Sequence, residues 1–174
     1  SSGTRLFCLS GRVASPGLYE FEFGATLGEI LDAAGGFSGP GSLKAILLGG
    51  AAGSFVTPES LNLPLTFEDT RNAGVSLGSG VMMAFSDRDD LTKIVLRIAE
   101  FFRDESCGQC VPCRVGTVRQ EELLIRITDK QSFNADISLF DDLAAVMSDA
   151  SICGLGHTAA SAVRSALKLG LLET

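Results

Sequence analysis

Strand-like alternation dominates the first half of the chain and helix-like spacing the second. Residues 6–13 form a largely apolar run that reads as a strand. Ser15-Pro16-Gly17 then supplies a turn, since proline presets φ and glycine tolerates the left-handed region. Residues 18–23 alternate, with Tyr19, Phe21 and Phe23 on one face and Glu20 and Glu22 on the other. That pattern predicts a half-buried strand paired with the first as a hairpin. Thr26 and Glu29 form a capping box for a helix over 27–34, which Gly35-Gly36 stops. Residues 43–48 predict a further strand ending at Gly49-Gly50, and 81–85 the last one. Between them, 54–72 contains Pro58 and Pro64 without a strong period. It reads as an irregular connection with a short turn of helix.

Asp87 to Asp90 forms a charged boundary, with Asp90 a candidate N-cap. Leu91, Ile94, Val95, Ile98, Phe101 and Phe102 then fall at helical spacing and predict an amphipathic helix of about three turns. A second helix is predicted over 114–128. A third covers 137–148, with Leu139, Leu143, Val146 and Met147 as its inner face. A fourth covers 158–169 and ends at Gly170, while the polar stretch 129–135 reads as a loop. The predicted fold class is therefore α+β. A hairpin, one helix and later strands make a β-grasp type domain over 1–87, followed by a four-helix bundle over 88–174.

Composition narrows the function classes. Apolar residues make up 45% of the chain and charged residues 20%, as in a globular protein. The formal charge of −7 argues against a nucleic-acid partner, because phosphate binding needs a basic face. No stretch approaches the ~20 apolar residues of a membrane helix. The opening Ser1-Ser2-Gly3-Thr4 has no secretory pattern and no methionine, so the chain reads as a piece of something longer.

The chemistry sits in the cysteines. Cys107, Cys110 and Cys113 are spaced C-x2-C-x2-C, and a fourth, Cys153, lies far downstream. One tight loop can wrap three corners of a cubane iron–sulfur cluster while a remote thiolate closes the fourth. Structural zinc also takes four cysteines, although it more often pairs two C-x2-4-C knuckles. Disulfide chemistry is the third reading, but cysteines so crowded are hard to pair with one another. Reduced thiols fit a reducing compartment, with cytosol the default. Cys8, in an apolar strand, reads as core, and His157 as a surface or helix-start residue. The glycines of 49–53 lack the form of a phosphate loop and read as a turn. Gly108, and Gly154 and Gly156 in a tight loop over 151–156, are expected to let backbone approach a cluster, and Pro112 to stiffen the first loop. Arg114, beside the third cysteine, is either a solvated helix-start residue or a charge that raises the cluster's potential. No residue reads as a general acid, base or nucleophile.

The run Glu105-Ser106-Cys107-Gly108-Gln109-Cys110-Val111-Pro112-Cys113-Arg114-Val115-Gly116, followed by Ser151-Ile152-Cys153-Gly154-Leu155-Gly156, resembles the cluster-binding region of the NADH-binding flavoprotein subunits. That family comprises the complex I flavoprotein subunit, the diaphorase subunits of NAD-linked hydrogenases and the beta subunits of NAD-dependent formate dehydrogenases. The run Arg114-Val115-Gly116-Thr117-Val118-Arg119 is most similar to the last. The resemblance spans the whole chain but only the last two domains of the family's subunits. It implies a soluble-ligand-binding type β-grasp domain and a [4Fe-4S] cluster on Cys107, Cys110, Cys113 and Cys153. Gly108, Arg114 and Gly154 would lie around that cluster. It further implies FMN and NAD bound by an upstream domain of which this chain shows no equivalent. The implied partners are a thioredoxin-like [2Fe-2S] subunit and a larger iron–sulfur catalytic subunit of the molybdenum or tungsten type. Two other roles stay open at this point: a zinc-stapled interaction module, and a small-molecule sensor in the β-grasp half.

Overall fold

The computed structural model describes residues 2–129 and 134–172. The chain divides into two compact units, Ser1–Asp89 and Asp90–Thr174.

In the first unit, β1 (Thr4–Gly11) and β2 (Gly17–Glu22) pair antiparallel, with Phe7 opposite Tyr19 and Arg5 opposite Phe21. Helix α1 (Leu27–Ala33) starts at Thr26. The Glu29 N–H donates to Thr26 Oγ1 at 3.2 Å, and the Thr26 N–H donates to Glu29 Oε2 at 2.7 Å. The helix stops where Gly35 and Gly36 take φ of +79° and +75°. Strands β3 (Leu43–Leu48), β4 (Ser54–Val56) and β5 (Val81–Ser86) complete a five-stranded sheet of order β2-β1-β5-β3-β4. Only β1 and β5 run parallel; the other neighbours are antiparallel. This is the β-grasp arrangement, with Leu27, Ile30 and Leu31 of α1 in one core with Phe7, Leu9, Ile46, Leu48 and Met82. Each such side chain contributes about 1.5–3 kcal/mol by burial.

The stretch 54–72 is more regular than expected. It opens with β4, turns through a 3-10 segment at Pro58–Ser60 and ends in α2 (Phe67–Asn72). Thr66 caps α2 by accepting the Asp69 N–H at 2.9 Å. Strand β4 has three residues, too few to show a period. Pairing with β3 makes it a strand and buries all three residues.

The second unit is helical: α3 (Leu91–Asp104), α4 (Val111–Thr128), α5 (Asn134–Ala150), α6 (Gly154–Thr158) and α7 (Ser161–Lys168). Asp90 caps α3, accepting the Lys93 N–H at 3.0 Å. Three expectations change. Helix α4 starts at Val111 rather than 114, so Pro112 belongs to its first turn, where a missing N–H costs nothing. Helix α5 buries Phe140, Ala144 and Met147, whereas Leu139 and Val146 are exposed. The reason lies on α4: Gly116 has no side chain, and a Cβ there would collide with Met147. The helix expected over 158–169 begins only at Ser161 as α7, and Gly154–Thr158, expected to lie mostly in a tight loop over 151–156, forms the separate short helix α6, with a break at Ala159-Ala160. The buried Gln120 amide donates to the Ala159 carbonyl at 3.0 Å and serves the acceptor at the break. Of the predicted loop 129–135, residues 130–133 lie outside the described residues, and Asn134 already belongs to α5. Among the described residues no helix is long and apolar enough to cross a membrane.

The ends of the central parallel pair are tied by one ion pair. Arg12 follows β1 and Asp89 follows β5. Arg12 Nε lies 3.1 Å from Asp89 Oδ2 and Nη2 lies 2.5 Å from Oδ1, while the Ser86 N–H donates to Oδ2 at 2.7 Å. The Arg12 hydrogen bonds, helped by Ser86, hold the Asp89 carboxyl down at about 2. A carboxyl depressed in the folded state adds stability above its unfolded pKa of about 4, and loses it as pH falls towards the folded value. Asp89→Asn should therefore destabilise the chain by about 1–2 kcal/mol at pH 7, discounted for the half-exposed arginine. The difference from wild type should shrink between about pH 4 and pH 2. Urea unfolding across that range measures it, and a gap independent of pH would refute the ion-pair account.

Candidate metal centre

Two loops carry the cysteines, and each ends by starting a helix. Helix α3 closes at Asp104 with Glu105 as its C-cap, and the chain passes through Ser106, Cys107, Gly108 and Gln109. Cys110 is the N-cap of α4, and Cys113 lies in its first turn. An N-cap and the residue three further on stand close together, which is how C-x2-C brings two thiols to one side. Beyond α5, Ser151 and Ile152 lead to Cys153, the N-cap of α6. Neither N-cap cysteine makes a full side-chain capping hydrogen bond, so both thiols remain available for ligation.

All four cysteines line one cavity of about 210 Å³, together with Ser106, Gln109, Ile152 and Leu155. Cys113 is buried, Cys110 half-buried, and Cys107 and Cys153 exposed; all are free thiols. The Cys110 thiol is held below its ordinary pKa, first by the Ile152 N–H and then by the Cys113 N–H. The first donor comes from the remote loop, so the two cysteine segments meet through a hydrogen bond as well as across the cavity. The Ser106 hydroxyl lies 3.2 Å from Cys113 Sγ.

Around this set, the backbone is pinned by side chains. Gly108 takes φ of +76°, and its carbonyl accepts Arg114 Nη1 at 2.7 Å. Arg114 thus clamps the triplet loop, a role not read from its position in the motif. His157 Nε2 lies 2.7 Å from the Ser151 carbonyl and braces the second loop. His157 is exposed on the short helix α6, and spacing gave no signal for the brace. Gly154 opens α6, and a Cβ there would meet no protein atom. At Gly156 a Cβ would run into the Ser151 side chain and lie 3.1 Å from Cys113 Cβ. It is Gly156 that lets α6 close on the triplet loop. Cys8, on β1, is far in sequence from the centre and half-buried in the sheet.

The residues present fit a cubane cluster. The donor set is four thiols from two loops. The Ser151 hydroxyl, in a buried residue, is a further polar group at the site and helps to hold the Cys110 thiol below its ordinary pKa. Among the described residues no three His, Cys, Asp or Glu side chains converge on a point that one metal ion could occupy. A single zinc needs its sulfurs about 2.3 Å from one centre. Four thiols lining one cavity match the four ligands that a cubane cluster takes. A larger groove of about 710 Å³ between α4 and α5 is lined by Leu123, Ile125, Leu139 and Leu143 with no cysteine or histidine.

Comparison with known proteins agrees with this geometry. Residues 93–169 match the NADH-ubiquinone oxidoreductase-F iron-sulfur binding region, and residues 6–53 match the SLBB domain. The F subunit of NADH-quinone oxidoreductase from Streptomyces coelicolor is 38% identical over 97% of this chain and 37% of its own length. The corresponding Escherichia coli protein is 36% identical over 96% of this chain and 38% of its own. The HndC subunit of the NADP-reducing hydrogenase from Solidesulfovibrio fructosivorans is 32% identical over 96% and 34% respectively. A crystal structure of NAD+-reducing [NiFe]-hydrogenase in the H2-reduced state superposes with a TM-score of 0.84 at 38% identity. That match covers 97% of this chain and 28% of the other. The chain thus spans little more than a third of the length of these curated relatives.

Fold and site together define an SLBB β-grasp domain followed by a [4Fe-4S]-binding helical region. The chain carries these two regions and corresponds to the C-terminal part of the NADH-binding flavoprotein subunits to which it is similar.

Gly156→Ala forces the α6 turn away from Ser151 and Cys113. It should destabilise the second unit by about 1–3 kcal/mol, as overpacking does. An unchanged urea transition would show that the close approach is not needed.

Proposed function

We propose that Cys107, Cys110, Cys113 and Cys153 are the ligands of one [4Fe-4S] cluster, and that the chain is the electron-transfer portion of an NAD-linked dehydrogenase. The observation that carries this reading is the single cavity lined by all four thiols from two separate loops. When bound, the cluster supplies one-electron transfer between FMN, held by the upstream part of the parent protein, and a neighbouring iron–sulfur centre; hydride exchange with NAD belongs to the flavin.

This chain's residues bind and tune the group. Cys113 provides the buried ligand, and Cys107 and Cys153 the exposed ones, facing the side from which a partner can approach. Arg114 fixes the triplet loop through the Gly108 carbonyl, and its cation offsets negative charge beside the centre. Ile152 and Leu155 contribute apolar wall to the cavity. We assign the chain no catalytic residue. The parent subunit is read as an NAD-linked oxidoreductase of the complex I, hydrogenase or formate dehydrogenase type, with the run from Arg114 to Arg119 favouring the last. Its partners on this reading are a thioredoxin-like [2Fe-2S] subunit and a larger iron–sulfur catalytic subunit, in the reducing cytoplasm.

Metal analysis after anaerobic purification tests the assignment. About four irons per chain with negligible zinc is expected, together with the broad visible absorbance of a cluster. Cys153→Ala should lose most of that iron. About one zinc and no iron would overturn the reading in favour of a structural module.

A further inference from the structure

We propose that the Ser106 hydroxyl donates a hydrogen bond to the ligating Cys113 thiolate and raises the reduction potential of the cluster. The inference rests on the ligand assignment above and names a residue outside the ligand set.

Ser106 Oγ stands 3.2 Å from Cys113 Sγ. The two residues come from different elements. Ser106 directly follows the C-cap of α3, and its N–H reaches back to the Arg103 carbonyl at 3.4 Å. Cys113 rides on the first turn of α4. The contact therefore joins the end of one helix to the start of the next, across the loop that carries Cys107 and Cys110.

In the metal-free chain either atom can donate, because a thiol and a hydroxyl both carry a proton. Ligation removes that freedom. A cysteine that binds metal gives up its proton, so the hydroxyl becomes the only donor of the pair. Cys113 is also the one buried thiol of the four, and hydrogen bonds act most strongly where the local dielectric is low. The electron that enters on reduction places more negative charge on the sulfurs. A donor aimed at one of them stabilises the reduced state more than the oxidised state, which moves the potential upward.

Ser106 differs from the other donors at the centre. The Ile152 and Cys113 N–H groups and the Ser151 hydroxyl act on Cys110 rather than Cys113, and a change at Ser106 leaves them in place. The hydroxyl of Ser106 can be removed without touching a ligand, a loop glycine or the clamp of Arg114 on Gly108. Ser106 is thus a positioning residue that acts on the cluster through Cys113.

The experiment uses the full parent subunit, purified anaerobically with its cluster. Iron is counted, and the midpoint potential is read by redox titration monitored by electron paramagnetic resonance. Ser106→Ala should keep the iron content of the unsubstituted protein and shift the midpoint to more negative potential. Ser106→Thr, which retains the hydroxyl, should stay near the unsubstituted value. Should the alanine variant lose iron, Ser106→Thr against Ser106→Val makes the same comparison at equal side-chain size. A midpoint that is unchanged in the alanine variant, or equal in the threonine and valine variants, overturns the proposal while the cluster assignment stands. Zinc in place of iron in the unsubstituted protein overturns the cluster assignment itself.

Discussion

The constraint on which the second unit depends is the approach of two loops that are remote in sequence. Four thiols can line one cavity only if the Ser151–Cys153 segment comes against the first turn of α4. Gly156 removes the side chain that would block it, and the Ile152 N–H meets the Cys110 thiol at the contact. Free thiols lining one cavity do not by themselves bind two loops together. The loops must therefore be held by something other than the sulfurs. Arg114 on the Gly108 carbonyl and His157 on the Ser151 carbonyl do this with side chains that leave every cysteine free. Behind them, the packing of α4 on α5 through Gly116 and Met147, and the Gln120 amide on the Ala159 carbonyl, set where α6 can start.

The first unit answers a different problem. A hairpin alone is marginal in water, and β1 gains a second partner only through the parallel register with β5. That register needs a long excursion of chain between the two strands, and the β-grasp order supplies it with α1, β3, β4 and α2. The Arg12–Asp89 pair closes the far end of these strands. It is short and multiply hydrogen-bonded, which sets it apart from looser exposed pairs such as Arg88 and Asp87 at 3.9 Å. An exposed pair of that kind adds little.

Much of the fold was legible because it is written locally. The capping box at Thr26 and Glu29, the stop at Gly35-Gly36 and the N-cap at Asp90 each involve residues within one turn of each other. The Tyr19, Phe21 and Phe23 alternation needs only the strand period. The misses share one cause. Strand β4 exists because β3 lies beside it, and a three-residue segment has no pattern of its own. The inner face of α5 was displaced by about one residue, because an apolar helix offers more than one plausible stripe. The partner at Gly116 chooses among them.

The sequence by itself narrowed the class of chemistry: C-x2-C-x2-C with a remote cysteine points to a thiolate-bound centre, and that spacing is a covalent fact that survives any packing. It also determined the order of a β-grasp domain before a helical one, through the change from strand period to helix period. Tertiary structure alone decided which small groups serve the centre. Ser106 lies against Cys113, His157 braces Ser151, and Gly156 rather than Gly154 bears the close approach. Those relations cross from one element to another. Hydrogen-bond distance and steric exclusion act through space, and no period along the chain records them.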